Sequence, residues 1–283
     1  MSGGLKVNWH KSSNFGDQLN PYLIKKIWNL ESIKINEGSS ENHLMMLGSI
    51  LNEANSKTLV MGAGFVSPDS FFMGNPKILS VRGNLTKKIL GTRGYAENEI
   101  KIGDPAIILP DFYKPANSGT RFKIGIAPHI IDYERAEKIF SGIEDCTIID
   151  LRLTRDCDEV EIESIIDQIT SCDCVISSSL HGLIVAHAYG IPGLWCEISD
   201  GVLGDGFKFR DYFSAHTNDY KVVPKLDFKE IERIDQIDDL IRTASLCLIN
   251  TNKDKHQVYE AIENITWGSN FKEIYLNEIP EEI

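Results

Sequence analysis

Short apolar runs alternate with helix-length amphipathic stretches along most of this chain, and that alternation constrains the fold more than any other feature. "LKVNWH" (5–10) reads as a strand. "NPYLIKKIWNL" (20–30) reads as a helix, with Leu19, Leu23 and Ile27 spaced four apart. "HLMMLGSIL", "KTLVMGAGF" and "KILSVRG" are short apolar runs, each ending near a glycine, and "NLTKKILG" (84–91) is a helix closed by Gly91. "DPAIILP" closes this half. Residues 111–122, "DFYKPANSGTRF", lack apolar periodicity and read as a linker. The alternation then resumes. "KIGIAPHI" is a strand and loop, "DYERAEKIF" a helix and "CTIIDLR" a strand. "DEVEIESIIDQITSC" is a helix with Ile162, Ile165, Ile166 and Ile169 on one face, "DCVISSS" a strand, "LHGLIVAHAYG" its helix, and "IPGLWCE" a strand again.

Such alternation predicts an α/β fold with parallel sheets. Two similar halves predict two doubly wound, Rossmann-like domains facing across a cleft, a GT-B-like arrangement. The expected boundaries are 1–115 and 120–226, with 227–283 as a helical tail packing on both. In such folds ligands bind beyond the carboxyl ends of the strands.

Charge narrows the partners. There are 29 basic and 41 acidic side chains, so the net charge is 29 − 41 = −12. That disfavours a nucleic-acid partner. An anionic substrate would need a locally basic site. The six cysteines (146, 157, 172, 174, 196 and 247) contain no CxxC pair and read as free core thiols of a reducing compartment. No cluster has metal-ligand spacing. The start of the sequence does not read as a signal peptide, and no apolar run is long enough for a membrane span, so none is expected. The expected location is cytoplasmic, the inner face of the membrane included.

The most informative stretch is "CDCVISSSLHGLIVAHAYGIPGLWCE" (172–197). It sets Ser177, Ser178, Ser179 and His181 where a strand ends and a helix begins. Unpaired N–H groups of a first helical turn and the helix dipole attract an anion there. The plainer alternative is a serine cap with a histidine packed beside it.

Other segments fall in a telling order. They are "NFGDQLNPYLI" (14–24), "LGSIL", "GAG", "VRGNLTKKILG" (81–91), "GDPAIILP" (103–110), "SSSLHGLIVAHAYGIP" and "GDGFKFRDYFSA" (204–215). Over residues 5–215 this set resembles the polysaccharide pyruvyltransferase family, in its branch that pyruvylates exopolysaccharide sugars, as in succinoglycan assembly. The resemblance implies an enzyme that moves a pyruvyl group from phosphoenolpyruvate to a sugar or lipid-linked oligosaccharide, forming a ketal. Phosphoenolpyruvate would be a co-substrate, with no other cofactor. Peripheral contact with membrane-bound assembly machinery is compatible with it. Many members of the family carry arginine before the Leu-His pair, where it contacts the donor. This chain has Ser179.

A donor with a phosphate and a carboxylate needs cationic or helix-end contacts, and the transfer needs a proton donor and a base. His181 is the expected donor contact and acid, with Ser178, Ser179 and His129 beside it. Read as a strand, "FKFR" puts Lys208 and Arg210 on one side, where they stand in for the missing arginine. Arg82 is a further donor contact. Asp17 is the expected base, although a carboxylate there also caps a helix. Asn14, Gly62 and Gly64 are expected on the acceptor side, the glycines admitting a ligand close to the backbone. Asp104 reads as a turn residue and His187 as structural. His10 and His216 fall near the cleft without motif support. The alternatives are a nucleotide-sugar glycosyltransferase of the same architecture and a non-catalytic binding protein of the same pathway.

Overall fold

The structure, a computed structural model, describes residues 4–115, 121–217, 223–234 and 236–267. Residues 116–120 of the expected linker and the end of the tail from 268 lie outside the described residues. Among the described residues the strands form two all-parallel sheets.

The first sheet is built from β1 (Gly4–Val7), β2 (Glu31–Lys34), β3 (His43–Met45), β4 (Thr58–Met61), β5 (Lys77–Val81) and β6 (Lys101–Ile102), with α1 (Phe15–Trp28) and α2 (Asn84–Gly91) among them. Its strand order is β2-β1-β3-β4-β5-β6. A 3₁₀ stretch, Pro105–Asp111, follows. The second sheet comprises β7 (Phe122–Ala127), β8 (Cys146–Ile148), β9 (Cys172–Ser177), β10 (Gly193–Glu197) and β11 (Lys225–Asp227). Its helices are α3 (Tyr133–Phe140), α4 (Glu159–Thr170), α5 (Leu180–Ala188) and α6 (Phe207–His216), and its order is β11-β10-β9-β7-β8. Helices α7 (Asp238–Ser245) and α8 (Asn252–Trp267) follow.

Counted within each half, both sheets run second, first, third, fourth, fifth, and the first sheet adds its sixth strand at the end. The α/β expectation therefore holds, in the flavodoxin-like variant of the doubly wound fold. In that order the chain reverses direction between the first and third strands, and the crevice opens there.

One helical layer joins the halves. Ile162, Ile165, Ile166 and Ile169 of α4 are all buried, as their spacing predicts, each burial stabilising by ~1.5–3 kcal/mol. Helices α1, α4 and α5 share a single apolar cluster with the 3₁₀ stretch and α8. Backbone bonds stitch the same junction: Phe15 N–H donates to Leu151 O at 3.0 Å, and Leu153 N–H to Ser13 O at 2.7 Å. Tyr22 of α1 donates to Glu163 of α4 at 3.0 Å.

A buried ion pair makes the second attachment. Arg82, just beyond β5, donates through Nε to Asp211 of α6 at 3.0 Å, and both side chains are essentially inaccessible. Asp211 also accepts from Thr86 N–H and Thr86 Oγ, each at 2.8 Å. Its backbone lies so close to Gly83 that a Cβ there would sit 1.7 Å from Asp211 O. The segment 207–210, expected as a strand, is thus the first turn of a helix. At its other end His216 Nδ1 lies 2.7 Å from Asp254 of α8, out of hydrogen-bond alignment.

Removing one member of a buried pair strands the other charge. Asp211→Ala should lower unfolding free energy by about 3–5 kcal/mol in urea titrations, with α6 as the element released. A cost below about 1 kcal/mol would mean that the pair does not hold α6.

Candidate active site

The loops after β1, β3, β7 and β9 carry the residues of the two switch points, and they open on one cleft of about 290 Å³. His10 and Asn14 follow β1, and Gly48 and Ser49 follow β3. His129 follows β7, and Ser179 and His181 follow β9. Lys208 enters from α6, and Asp17 from the first turn of α1.

Asn14 caps α1, its Oδ1 accepting from Gly16 N–H at 3.1 Å. The capping role weighed for Asp17 therefore belongs to Asn14. Asp17 instead accepts from Ser12 Oγ at 2.5 Å. Burial pushes its carboxyl pKa up, against the pull of Ser12, His181, His10 and Lys208. A carboxylate so placed is a competent proton acceptor.

His181 lies in the first turn of α5, whose N-cap, Ser179, makes no side-chain capping bond. The helix's first N–H groups are left for another partner. The imidazole packs so tightly on α1 that a Cβ on Gly16 would lie 2.1 Å from Nδ1. Its Nε2 lies 3.6 Å from Asp104 Oδ2, and neither atom has a hydrogen-bond partner. That is too long for a hydrogen bond, but such contacts tighten when a ligand closes the site. Asp104 does fix its turn, accepting from Ala106 N–H at 3.0 Å. Its second oxygen faces His181, a placement the sequence reading did not foresee.

Lys208 is largely desolvated. Burial, and then the nearby Arg82, lower its pKa to about 8, with Asp17 and Asp132 opposing. His129 is held near 4 by burial and by Lys208, so its ring is neutral. Its Nδ1 accepts from Ile131 N–H at 3.4 Å. The cleft thus sets one amine (Lys208), three imidazoles (His10, His129 and His181) and one carboxylate (Asp17) about an uncapped helix end.

Several expected residues fall elsewhere. Arg210 does not join Lys208, because on a helix residues two apart do not share a face. It donates to Asp205 O at 2.6 Å, outside the cleft. Arg82 is fully buried, and its donors are taken by Asp211, Ser49 Oγ and Phe65 O, so it supports the wall rather than touching a ligand. Ser178 spends its hydroxyl proton on Asp132 at 2.7 Å and accepts from His129 N–H at 2.9 Å. Gly62 has φ +101° and packs on Pro105, and Gly64 packs on Arg82. Neither lines the cleft; the glycines that do are Gly48, at φ +118°, and Gly201. His216 lies at the far end of α6 against Asp254, not in the cleft. His187 is structural, as expected: it is buried between Tyr212 OH at 3.0 Å and Gly193 O at 3.1 Å. His10 and Ser49, which line the cleft, carry no catalytic motif of their own. Ser49 lies in the quoted "LGSIL" loop.

Two switch points opening on one desolvated amine and an uncapped helix define a class: a two-sheet α/β protein with its candidate site where the strand order of both sheets reverses. More narrowly, the chain belongs to the family described as polysaccharide pyruvyl transferase, whose sequence model matches residues 21–200. Among curated relatives it is similar to Uncharacterized protein L143 of Acanthamoeba polyphaga mimivirus, 29% identical over 209 residues, covering 72% of this chain and 71% of the relative. It is also similar to Succinoglycan biosynthesis protein ExoV of Rhizobium meliloti, 30% identical over 211 residues. That match covers 70% of this chain and 60% of the relative. A crystal structure of a functionally uncharacterized Klebsiella pneumoniae protein aligns over 79% of this chain and 92% of its own, at 16% identity and a TM-score of 0.45. No helix among the described residues is long and apolar enough to cross a membrane.

Because Lys208 titrates near 8, its ammonium is present below that value and lost above it. Sulfate, which does not titrate here, should bind more weakly as the solution is raised from about pH 7 to about pH 9. In Lys208→Met, calorimetry should find neither the binding nor its pH dependence. Unchanged binding in that variant would remove Lys208 from the anion site.

Proposed function

We propose that the chain transfers a pyruvyl group from phosphoenolpyruvate to two hydroxyls of a saccharide destined for a cell-surface polysaccharide, releasing phosphate and forming a ketal. Its family membership and its likeness to a protein named for succinoglycan biosynthesis support this. The observation that carries it is the convergence of Lys208, His129, His181 and Asp17 on one cleft between the switch points of both sheets.

On this reading the two sheets face across the cleft in GT-B-like fashion. The first half takes the acceptor and the second the donor. The phosphate of phosphoenolpyruvate lies against the first turn of α5 and the Lys208 ammonium. Ser179, in place of the family's arginine, leaves Lys208 as the main cation of the clamp. A lysine is a point charge without the guanidinium fork, so the helix N–H groups supply the directional bonds.

His181 then protonates C3 of the donor, breaking the C2=C3 double bond and leaving C2 electron-poor. An acceptor hydroxyl oxygen bonds to C2 and its proton passes to a base, Asp17. A second hydroxyl of the same sugar bonds to C2 as the C2–O bond to phosphate breaks. The second proton leaves with the phosphate. Asp104 steadies the imidazole as it charges and discharges. Donor and acceptor then differ sharply in what holds them: charge for the one, hydrogen bonds for the other.

The test is incubation with phosphoenolpyruvate and a panel of oligosaccharides. Phosphate release should require both, and the product should gain the mass of pyruvate less water. His181→Ala should lower turnover by about 10²–10⁴-fold. Turnover with a nucleotide sugar in place of phosphoenolpyruvate would overturn the assignment.

Gly16→Ala supplies an independent check of the geometry. Alanine ordinarily stabilises a helix relative to glycine by ~0.5–1 kcal/mol. Here its methyl group would displace the His181 ring, so activity should fall at least tenfold while the variant still folds cooperatively. Full activity in Gly16→Ala would show that the observed ring position is not the working one.

A further inference from the structure

One pair of groups in the cleft has no part in the steps above. His10 follows β1 on the cleft wall, and its Nε2 lies 2.7 Å from Glu53 Oε1. The other oxygen of Glu53 accepts from Asn8 Nδ2 at 3.1 Å. The carboxylate is shielded, with 11% of its side chain exposed, while the imidazole is open at 54%. Glu53 ends the 3₁₀ turn after β3, so this pair straddles the switch point of the first sheet.

The chemistry of the pair follows from its geometry. A carboxylate accepts only, so the bond fixes the proton of the neutral ring on Nε2. That leaves the Nδ1 lone pair as the ring's proton-accepting site. Among the described residues no other hydrogen bond to the ring competes for it.

A ketal consumes two hydroxyls, and each must lose a proton. Asp17 serves one, but one of its oxygens already accepts from Ser12. We propose that His10, oriented by Glu53, is a second general base of this cleft and takes the proton of the acceptor hydroxyl that Asp17 does not serve. In that step the hydroxyl O–H bond breaks, its proton moves to Nδ1, and the freed oxygen pair forms the new bond to C2. The imidazolium so formed is neutralised in place by Glu53, and its proton passes to the departing phosphate. This assignment rests on the pyruvyl-transfer reading above. It puts both bases on the half expected to hold the acceptor, across the cleft from Lys208 and His129.

The charged groups facing His10 are Glu53 from the turn after β3, Asp17 from α1 and Lys34 from β2. The hydrogen bond from Glu53 is the largest influence and raises the His10 pKa; Asp17 also raises it, while burial and Lys34 lower it. A base must be unprotonated to act, so the acidic limb of the rate profile follows this pKa.

The experiment compares wild type, His10→Ala and Glu53→Gln with phosphoenolpyruvate and an oligosaccharide acceptor. His10→Ala should lower kcat by about 10²-fold or more, with the KM for phosphoenolpyruvate within about threefold and the melting temperature unchanged. Added imidazole should restore part of the rate. Glu53→Gln removes the raising influence, so the acidic limb of kcat should move to lower pH. If wild type turns over and His10→Ala keeps its kcat within about threefold, the base assignment falls and pyruvyl transfer stands. If Glu53→Gln leaves the limb in place, the dyad falls likewise. If wild type releases no phosphate with any acceptor, pyruvyl transfer falls and the role of His10 falls with it.

Discussion

No side chain fits between the first turn of α1 and the imidazole of His181. A Cβ on Gly16 would stand 2.1 Å from Nδ1, which is far inside van der Waals contact. This approach brings the N-terminus of a helix from the first sheet against the N-terminus of a helix from the second. The rest of the site is arranged around it. With α1 and α5 in contact, Asn14 and Asp17 face Ser179 and His181. The backbone bonds between 13–15 and 151–153 and the apolar packing of α1, α4 and α5 keep that contact from sliding. Close packing of this kind transmits displacement rather than absorbing it. The position of one imidazole is therefore set by the junction of both halves.

A second constraint fixes the cation. Lys208 projects from α6, and α6 is held not by apolar packing alone but by the buried Arg82–Asp211 pair. Arg82 also donates to Ser49, which lines the cleft. The guanidinium that the sequence suggests for ligand contact is thus spent on the wall. The amine that does reach the cleft pays for its burial with a pKa near 8. On an acidic chain this division is physically reasonable. An anion approaching a molecule of net charge −12 is repelled at long range, and screening limits that repulsion to about a Debye length. Inside, a desolvated ammonium and oriented N–H groups act at short range, where the dielectric is lower.

What was legible in the sequence follows from how locally each feature is encoded. The isoleucines of α4 repeat at helical spacing and face one side, so the helix and its buried face could both be read. The strand-to-helix junction at 177–181 could be read because serines, a histidine and a glycine follow an apolar run directly. "FKFR" misled because α6 buries Phe207 and Phe209 and then Tyr212 and Phe213, packing on more than one side. Its first four residues therefore imitate the period of a strand. The edge strands β2, β6 and β11 were missed because they span four, two and three residues and are only partly covered. Too little apolar surface lies in each to leave a pattern.

The site residues that escaped sequence reading share one property: their partners are far along the chain. Asp104 reads as a helix-capping turn, and it is one; only folding sets its second oxygen beside His181. His10 lies 43 residues from Glu53 and carries no motif, yet parallel strands β1 and β3 are neighbours, so the loops that follow them meet. A doubly wound sheet makes such meetings systematic. Its crossovers return every strand in the same direction, so the loops on either side of the point where strand order reverses meet at one crevice. Chemistry-bearing residues can then be scattered by dozens of positions and still converge. Local motifs in this architecture thus identify single walls of the cleft, whereas which side chains meet there is a property of strand order.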